Sequence, residues 1–230
     1  MIYSTTKEAI FVKRSNRFIA HVLLDGKEEV VHVKNTGRCR EILQKGRTVI
    51  LEKARNKNRK TKYTLIAAYK NNKLINIDSQ VPNQVVYEAL KEGKIPDFKK
   101  IIRAKREVTF SNSRFDIFYE TDEKKGFIEV KGVTLEENNI ALFPDAPTNR
   151  GTKHVKEMVK AVKEGYQGVI FFLIQMNGIN NFIPNKKMDP DFASALEYAE
   201  KQGVKILAYN TYISENQIEL ADKIMVNITP

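Results

Sequence analysis

The chain has 230 residues, 42% of them hydrophobic and 29% charged, and its net charge of +11 gives a pI near 9.5. A chain of that length buries one large core or two small ones, and its apolar share rules out bulk disorder. The positive excess selects polyanionic partners, nucleic acid (DNA or RNA) first among them. A single cysteine, Cys39, excludes an intrachain disulfide and a cysteine-based zinc site, and the singly placed His21, His32 and His154 leave no histidine metal cluster. The N-terminus lacks an apolar signal core and the longest apolar run, 169–174, is too short to span a bilayer. A cytoplasmic location with no membrane contact is expected.

Residues 9–78 read as short strands over 9–13, 17–24, 28–33, 48–53, 62–69 and 74–77. Asp25-Gly26 marks a tight hairpin between the second and third, and a helical turn is expected over 39–43. This pattern fits a small β-barrel, of OB or SH3-like type. The loop 53–62 is strongly basic, and Lys57, Arg59, Lys60 and Lys62 in it are candidate phosphate contacts. Arg14, Arg17, Arg38 and Arg40 add positive charge near turns, while Phe18 and Tyr63 are read as core aromatics.

A helix is predicted over 81–93, opened by Pro82, closed by Gly93 and carrying the stripe Val85, Val86, Ala89 and Leu90. It begins a second domain, dividing 1–80 from 81–230. After a strand over 100–108 come two strands, 113–119 and 127–133, around an acidic turn. Each is mostly apolar yet carries charge: Asp116 in the first, Glu129 and Lys131 in the second. Alternation puts Glu129 and Lys131 on one face, roughly 6–7 Å apart. A register centred between Asp122 and Glu123 sets Asp116 opposite Glu129, and a slip of one residue would turn it away. Two neighbouring carboxylates repel, and a divalent cation relieves that repulsion. Oxygen ligands at this density suit Mg2+ (or Mn2+), with Asp116 and Glu129 as metal ligands and Lys131 as the group that orients water or neutralises a phosphoryl oxygen. The competing account is an exposed face on an edge strand, since the same acidic-x-Lys spacing recurs at Glu92/Lys94 and Asp97/Lys99.

The prolines of 141–147 predict a rigid loop. Thr148 caps a helix reaching about Lys163, and Arg150, Lys153 and His154 crowd its start, where the helix dipole favours anions. An incoming phosphate answers both features. A buried strand over 168–175, with Gln175 and Asn177 at its polar end within reach of the site, a helix over 189–202, a strand over 204–209 and a last edge strand over 217–227 complete an α/β layered domain.

Asp116 followed by Glu129-x-Lys131 resembles the PD-(D/E)xK nuclease core, with Phe115 in place of the name-giving proline. The strings Phe127-Ile128-Glu129-Val130-Lys131-Gly132-Val133, Phe143-Pro144-Asp145-Ala146 and Thr148-x-Arg150-Gly151-x-Lys153-His154 resemble the sugar fermentation stimulation protein A (SfsA) family. So do Asn16-Arg17-Phe18 and Asn35-Thr36-Gly37-Arg38, and the resemblance spans the chain. It implies an N-terminal all-β OB-fold barrel, a C-terminal α/β nuclease-like mixed sheet flanked by helices, and nucleic-acid binding. In the nuclease superfamily a helical Glu often joins the metal site, which makes Glu88 a candidate third ligand. A Mg-dependent DNA or RNA nuclease is the expected function. The alternative is a non-catalytic DNA-binding regulator of sugar metabolism that retains the nuclease fold.

Overall fold

A computed structural model describes all residues except 36, 38, 57, 229 and 230. The chain divides into two compact units, the first made of Met1–Val81 with Gln175–Asn177 and Thr211–Glu219, the second of the remaining segments.

The first unit is a closed barrel of β1 (Thr6–Asn16), β2 (Ile19–Leu24), β3 (Lys27–Val33), β4 (Thr48–Lys53) and β5 (Tyr63–Lys70), with β6 (Lys73–Asn76) hairpinned onto β5. Alternation drives it: Ala9 and Phe11 of β1, Ala20, Val22 and Leu24 of β2, and Val31 and Val33 of β3 turn inward and are buried. Asp25 and Gly26 both take positive φ, 51° and 77°, the mirror-image turn whose twist matches the strands it joins. Closure comes from β1 pairing antiparallel with β4 and from a short parallel pairing, His32↔Thr64 and Val33↔Leu65, between β3 and β5. The expected helical segment is one turn, in which the Leu43 N–H donates to the Cys39 carbonyl at 2.8 Å. This strand order is the OB arrangement.

α1 (Val81–Lys91) follows the barrel, and the second unit holds most of a six-stranded sheet ordered β15-β14-β12-β9-β8-β7. These are β7 (Arg103–Phe110), β8 (Ser113–Glu120), β9 (Lys125–Val133), β12 (Gln167–Ile174), β14 (Lys205–Ser214) and β15 (Gln217–Lys223). β9 lies inside the sheet, antiparallel to β8 and parallel to β12, so Glu129 and Lys131 sit on a central strand and not an edge. β12 is apolar throughout because both its faces are covered: Val169 to Ile174 have no exposed surface.

A smaller four-stranded sheet adds to the elements expected from the sequence: β10 (Leu135–Glu137), β11 (Ile140–Phe143), β13 (Asn181–Pro184) and β16 (Met225–Val226). The segment expected to be loop therefore begins as a strand. Pro144 ends that strand without disturbing it, because a residue ahead of proline favours the extended conformation that Phe143 adopts; the Phe143–Pro144 bond is cis. α2 (Asn149–Lys163) is capped by Thr148, whose Oγ1 accepts from the Gly151 N–H at 3.0 Å. Asp189 caps α3 (Pro190–Lys201) through the Phe192 N–H at 2.9 Å and also accepts from the Thr148 N–H at 2.7 Å, tying the starts of both helices together. α2 lies close on β12 at Gly168, where a Cβ would fall 2.7 Å from Val162. No helix among the described residues is long and apolar enough to cross a membrane.

Candidate functional site

The β8–β9 hairpin has the expected register, Ile117↔Ile128 through Glu120↔Lys125, centred between Asp122 and Glu123. At its inner end a side chain carries the connection: Asp116 Oδ2 accepts from the Val130 N–H at 2.8 Å, and Oδ1 accepts from Asn83 Nδ2 at 2.6 Å. The ladder is disturbed on the other flank too. Pairing of β7 with β8 passes from Arg106↔Ile117 to Val108↔Phe115, and Glu107 between them has a positive φ of 56°. A non-glycine residue held there is backbone strain beside Asp116, the kind found at functional sites.

Glu129 is 3% exposed, on the central strand. His154, from the second turn of α2, and Lys131, two residues along β9, converge on one of its oxygens. Lys131 Nζ donates to Oε1 at 2.6 Å and His154 Nδ1 bonds the same atom. A carboxylate only accepts, so that ring nitrogen carries the proton. The other oxygen, Oε2, is buried and has no hydrogen-bond donor. Such an atom normally finds a partner.

The two carboxyls are driven in opposite directions. Burial, and then the charge of Glu129, push Asp116 up to about 6 against the pull of the Val130 N–H, Lys131 and Asn83. Burial also raises Glu129, but its hydrogen bond to His154 and the charge of Lys131 outweigh it and hold that group below the usual glutamate range. The patch has one firmly ionised carboxylate with an unsatisfied oxygen beside a second that resists ionisation. A hard divalent cation fits this donor set, since it would satisfy Oε2 and favour the ionised form of Asp116. Among the described residues no group of three or more His, Cys, Asp or Glu side chains is arranged to hold a metal. An ion held by Asp116 and Glu129 would complete its shell with water and substrate oxygens, as Mg2+ commonly does.

Glu88, the expected third ligand, accepts from Gln84 Nε2 at 2.8 Å. The residue of α1 that reaches Asp116 is Asn83, and five residues of helix rotate Glu88 roughly 140° away from it. Asn83 shares the face of the buried Val86 and Leu90, and a polar side chain on an apolar stripe was the available signal. Of the three residues crowding the start of α2, His154 bonds Glu129 in the site, Lys153 Nζ donates to the Asn112 carbonyl at 2.9 Å, and Arg150 is exposed. Gln175 belongs to the first unit, where it donates to Asn76 Oδ1 at 3.1 Å.

On the barrel, Arg17 and Arg40 are exposed, as are Lys60 and Lys62 in the loop between β4 and β5. Arg59 is half-buried, its guanidinium reaching Thr64 Oγ1 and Thr61 Oγ1 at 3.2 Å. Arg14 is committed to backbone, donating to the carbonyls of Gly37 and Arg17 at 2.7 Å and of Asn35, so it braces a loop. Phe18, expected in the core, is 49% exposed, with Arg17 over its ring at 5.5 Å. Arg38 and Lys57 lie outside the described residues.

Residues 12–77 match the family model described as the SfsA N-terminal OB domain, and residues 80–217 the one described as the Sugar fermentation stimulation protein RE domain. A sugar fermentation stimulation protein homolog of Alkaliphilus oremlandii is 53% identical over 99% of both chains. One of Clostridium acetobutylicum is 52% identical over 98% of both. The solved structure of Pyrococcus furiosus SfsA in complex with Ca2+ superposes with a TM-score of 0.89 at 29% identity, covering 99% of this chain and 98% of that one.

Proposed function

This chain belongs to the sugar fermentation stimulation protein family, and we propose that it is a divalent-metal-dependent nuclease that hydrolyses phosphodiester bonds in DNA or RNA. One observation carries the proposal: Asp116 of β8, held to the Val130 N–H, lies close enough to Glu129 of neighbouring β9 to feel its charge, and Glu129 has an unsatisfied Oε2 with Lys131 beside it. Bound Mg2+ or Mn2+ would polarise the phosphodiester and activate a water at neutral pH. Asp116 and Glu129 hold the ion, Asn83 aims Asp116, and His154 fixes the rotamer of Glu129. Lys131 supplies positive charge where negative charge builds on the phosphoryl oxygens. That the Pyrococcus furiosus relative was solved with Ca2+, another oxygen-seeking ion, supports a hard cation.

The test is incubation of labelled single- and double-stranded DNA and RNA with Mg2+ or Mn2+, beside Asp116→Asn. The parent chain is expected to cut at least one of them, and the variant to bind it without cutting. Salt-sensitive binding with no cleavage under either metal would replace the proposal with a non-catalytic regulator.

The barrel loop gives a separate expectation. Lys60→Ala/Lys62→Ala should weaken nucleic-acid binding and flatten the plot of log affinity against log salt by roughly 1.4 to 1.8, the value for two lost phosphate contacts. An unchanged slope would remove the loop from the interface.

A further inference from the structure

The barrel holds a cavity of about 410 Å3, lined by Phe11, Arg14, Asn16, Arg17, Arg40 and Leu43, that cleavage does not use. Its volume lies within the range of small-ligand sites. The walls are built before anything enters. Arg14 ties the β1–β2 tip to the loop after β3 through the carbonyls of Arg17, Asn35 and Gly37. Asn16 Oδ1 accepts from the Phe18 and Ile19 N–H groups at 2.8 and 3.1 Å, fixing the tip itself. Phe11 and Leu43 make an apolar floor continuous with the core.

The rim is the opposite in character. Arg17 and Arg40 are exposed, and among the described residues no carboxylate pairs with either. Two guanidinium groups left without counter-ions over an apolar floor suit a ligand with an anionic head and a flat, weakly polar body. Guanidinium forks match phosphate oxygens, and Arg17, which lines the pocket, lies 5.5 Å from the centroid of the half-exposed Phe18 ring, a stacking surface next to that rim.

We infer that this pocket binds one nucleoside monophosphate unit, the phosphate held by Arg17 and Arg40 and the base on the apolar side beside Phe18. A unit within a single strand and a free nucleotide present the same chemistry to it. The inference rests on the nucleic-acid-binding part of the proposed function and is independent of cleavage.

The test uses the full chain in EDTA, so that no cleavage contributes, and measures binding of each of the four ribonucleoside 5′-monophosphates, inorganic phosphate, and a fluorescent ten-nucleotide single strand. At least one monophosphate should bind tenfold or more tightly than phosphate alone, and Arg17→Ala/Arg40→Ala should weaken it at least tenfold. If the variant loses the strand in parallel, the unit is taken from a strand; if it loses only the monophosphate, the pocket serves free nucleotide. No monophosphate binding, equal binding of phosphate, or an unaltered affinity in the variant would overturn the inference. Arg40→Gln keeps the stem and removes the charge, and should reproduce a loss of threefold or more in a chain whose melting is unchanged. Strand binding that persists in every variant, with no monophosphate bound even by the parent chain, would sink the pocket and leave the nuclease proposal standing.

Discussion

Asp116→Asn is expected to melt several degrees above the parent chain at pH 7.5 while losing all cleavage. The parent carries a carboxyl pushed up to about 6 by burial and by Glu129, against about 3.9 in an unfolded chain. A native pKa above the unfolded one means that folding favours the protonated acid. That contribution is present in full below about pH 4 and is lost as pH rises through about 6. Holding Asp116 ionised at neutral pH therefore costs on the order of 2–3 kcal/mol. Asparagine removes the charge and keeps the geometry: its oxygen accepts from the Val130 N–H, and Asn83 turns its own amide to pair with the new one. At about 2–4 °C per kcal/mol for a chain of this size, the gain is roughly 4–12 °C. The difference between parent and variant should close below about pH 4, which calorimetry across pH 4 to 8 resolves. Mg2+ should raise the melting temperature of the parent and leave the variant where it was, because ligand linkage acts only on the state that binds. A variant that melts lower at neutral pH, or a gap that persists in acid, would show that Asp116 is not under this strain.

How far the site can be read from the chain depends on whether its signals are local. The β8–β9 pairing is legible because turn formers mark the centre of the hairpin and a period of two then fixes which residues oppose one another. Thr148, Asp189, Gly165 and Gly203 punctuate α2 and α3 where sequence chemistry places them. The illegible part is tertiary. Periodicity places α1 against the core, yet whether Asn83 or Glu88 meets Asp116 depends on how the helix is rotated over a sheet some 30 residues downstream. Arg14 reads as a surface cation because the carbonyls it satisfies belong to a loop 21 and 23 residues away. The small sheet of β10, β11, β13 and β16 is assembled from strands of two to four residues, too short to show a period. His154 stands out in the sequence for its clash with the helix dipole. The carboxylate that answers it is Glu129, on another element.

The neighbouring substitution, Glu129→Gln, should act in the opposite direction, lowering stability by about 2–4 kcal/mol at neutral pH. Glu129 is where Lys131 and His154 both direct an N–H, so a neutral amide leaves the ammonium of Lys131 without the carboxylate it donates to in a largely buried setting. Although burial raises its pKa, His154 and Lys131 hold the folded value below the usual glutamate range. A depressed carboxylate contributes stability above its unfolded pKa, about 4.3, and loses it as pH falls through the lower folded value. The gap between parent and Glu129→Gln should thus be open above about pH 5 and narrow in acid. The double variant separates the two effects. Part of the strain on Asp116 is the charge of Glu129, so Asp116→Asn should stabilise the Glu129→Gln chain less than it stabilises the parent. It should still stabilise it, because burial, the larger cause, remains. Strict additivity would mean that the two carboxyls do not feel one another, and with that the shared cation site would be lost.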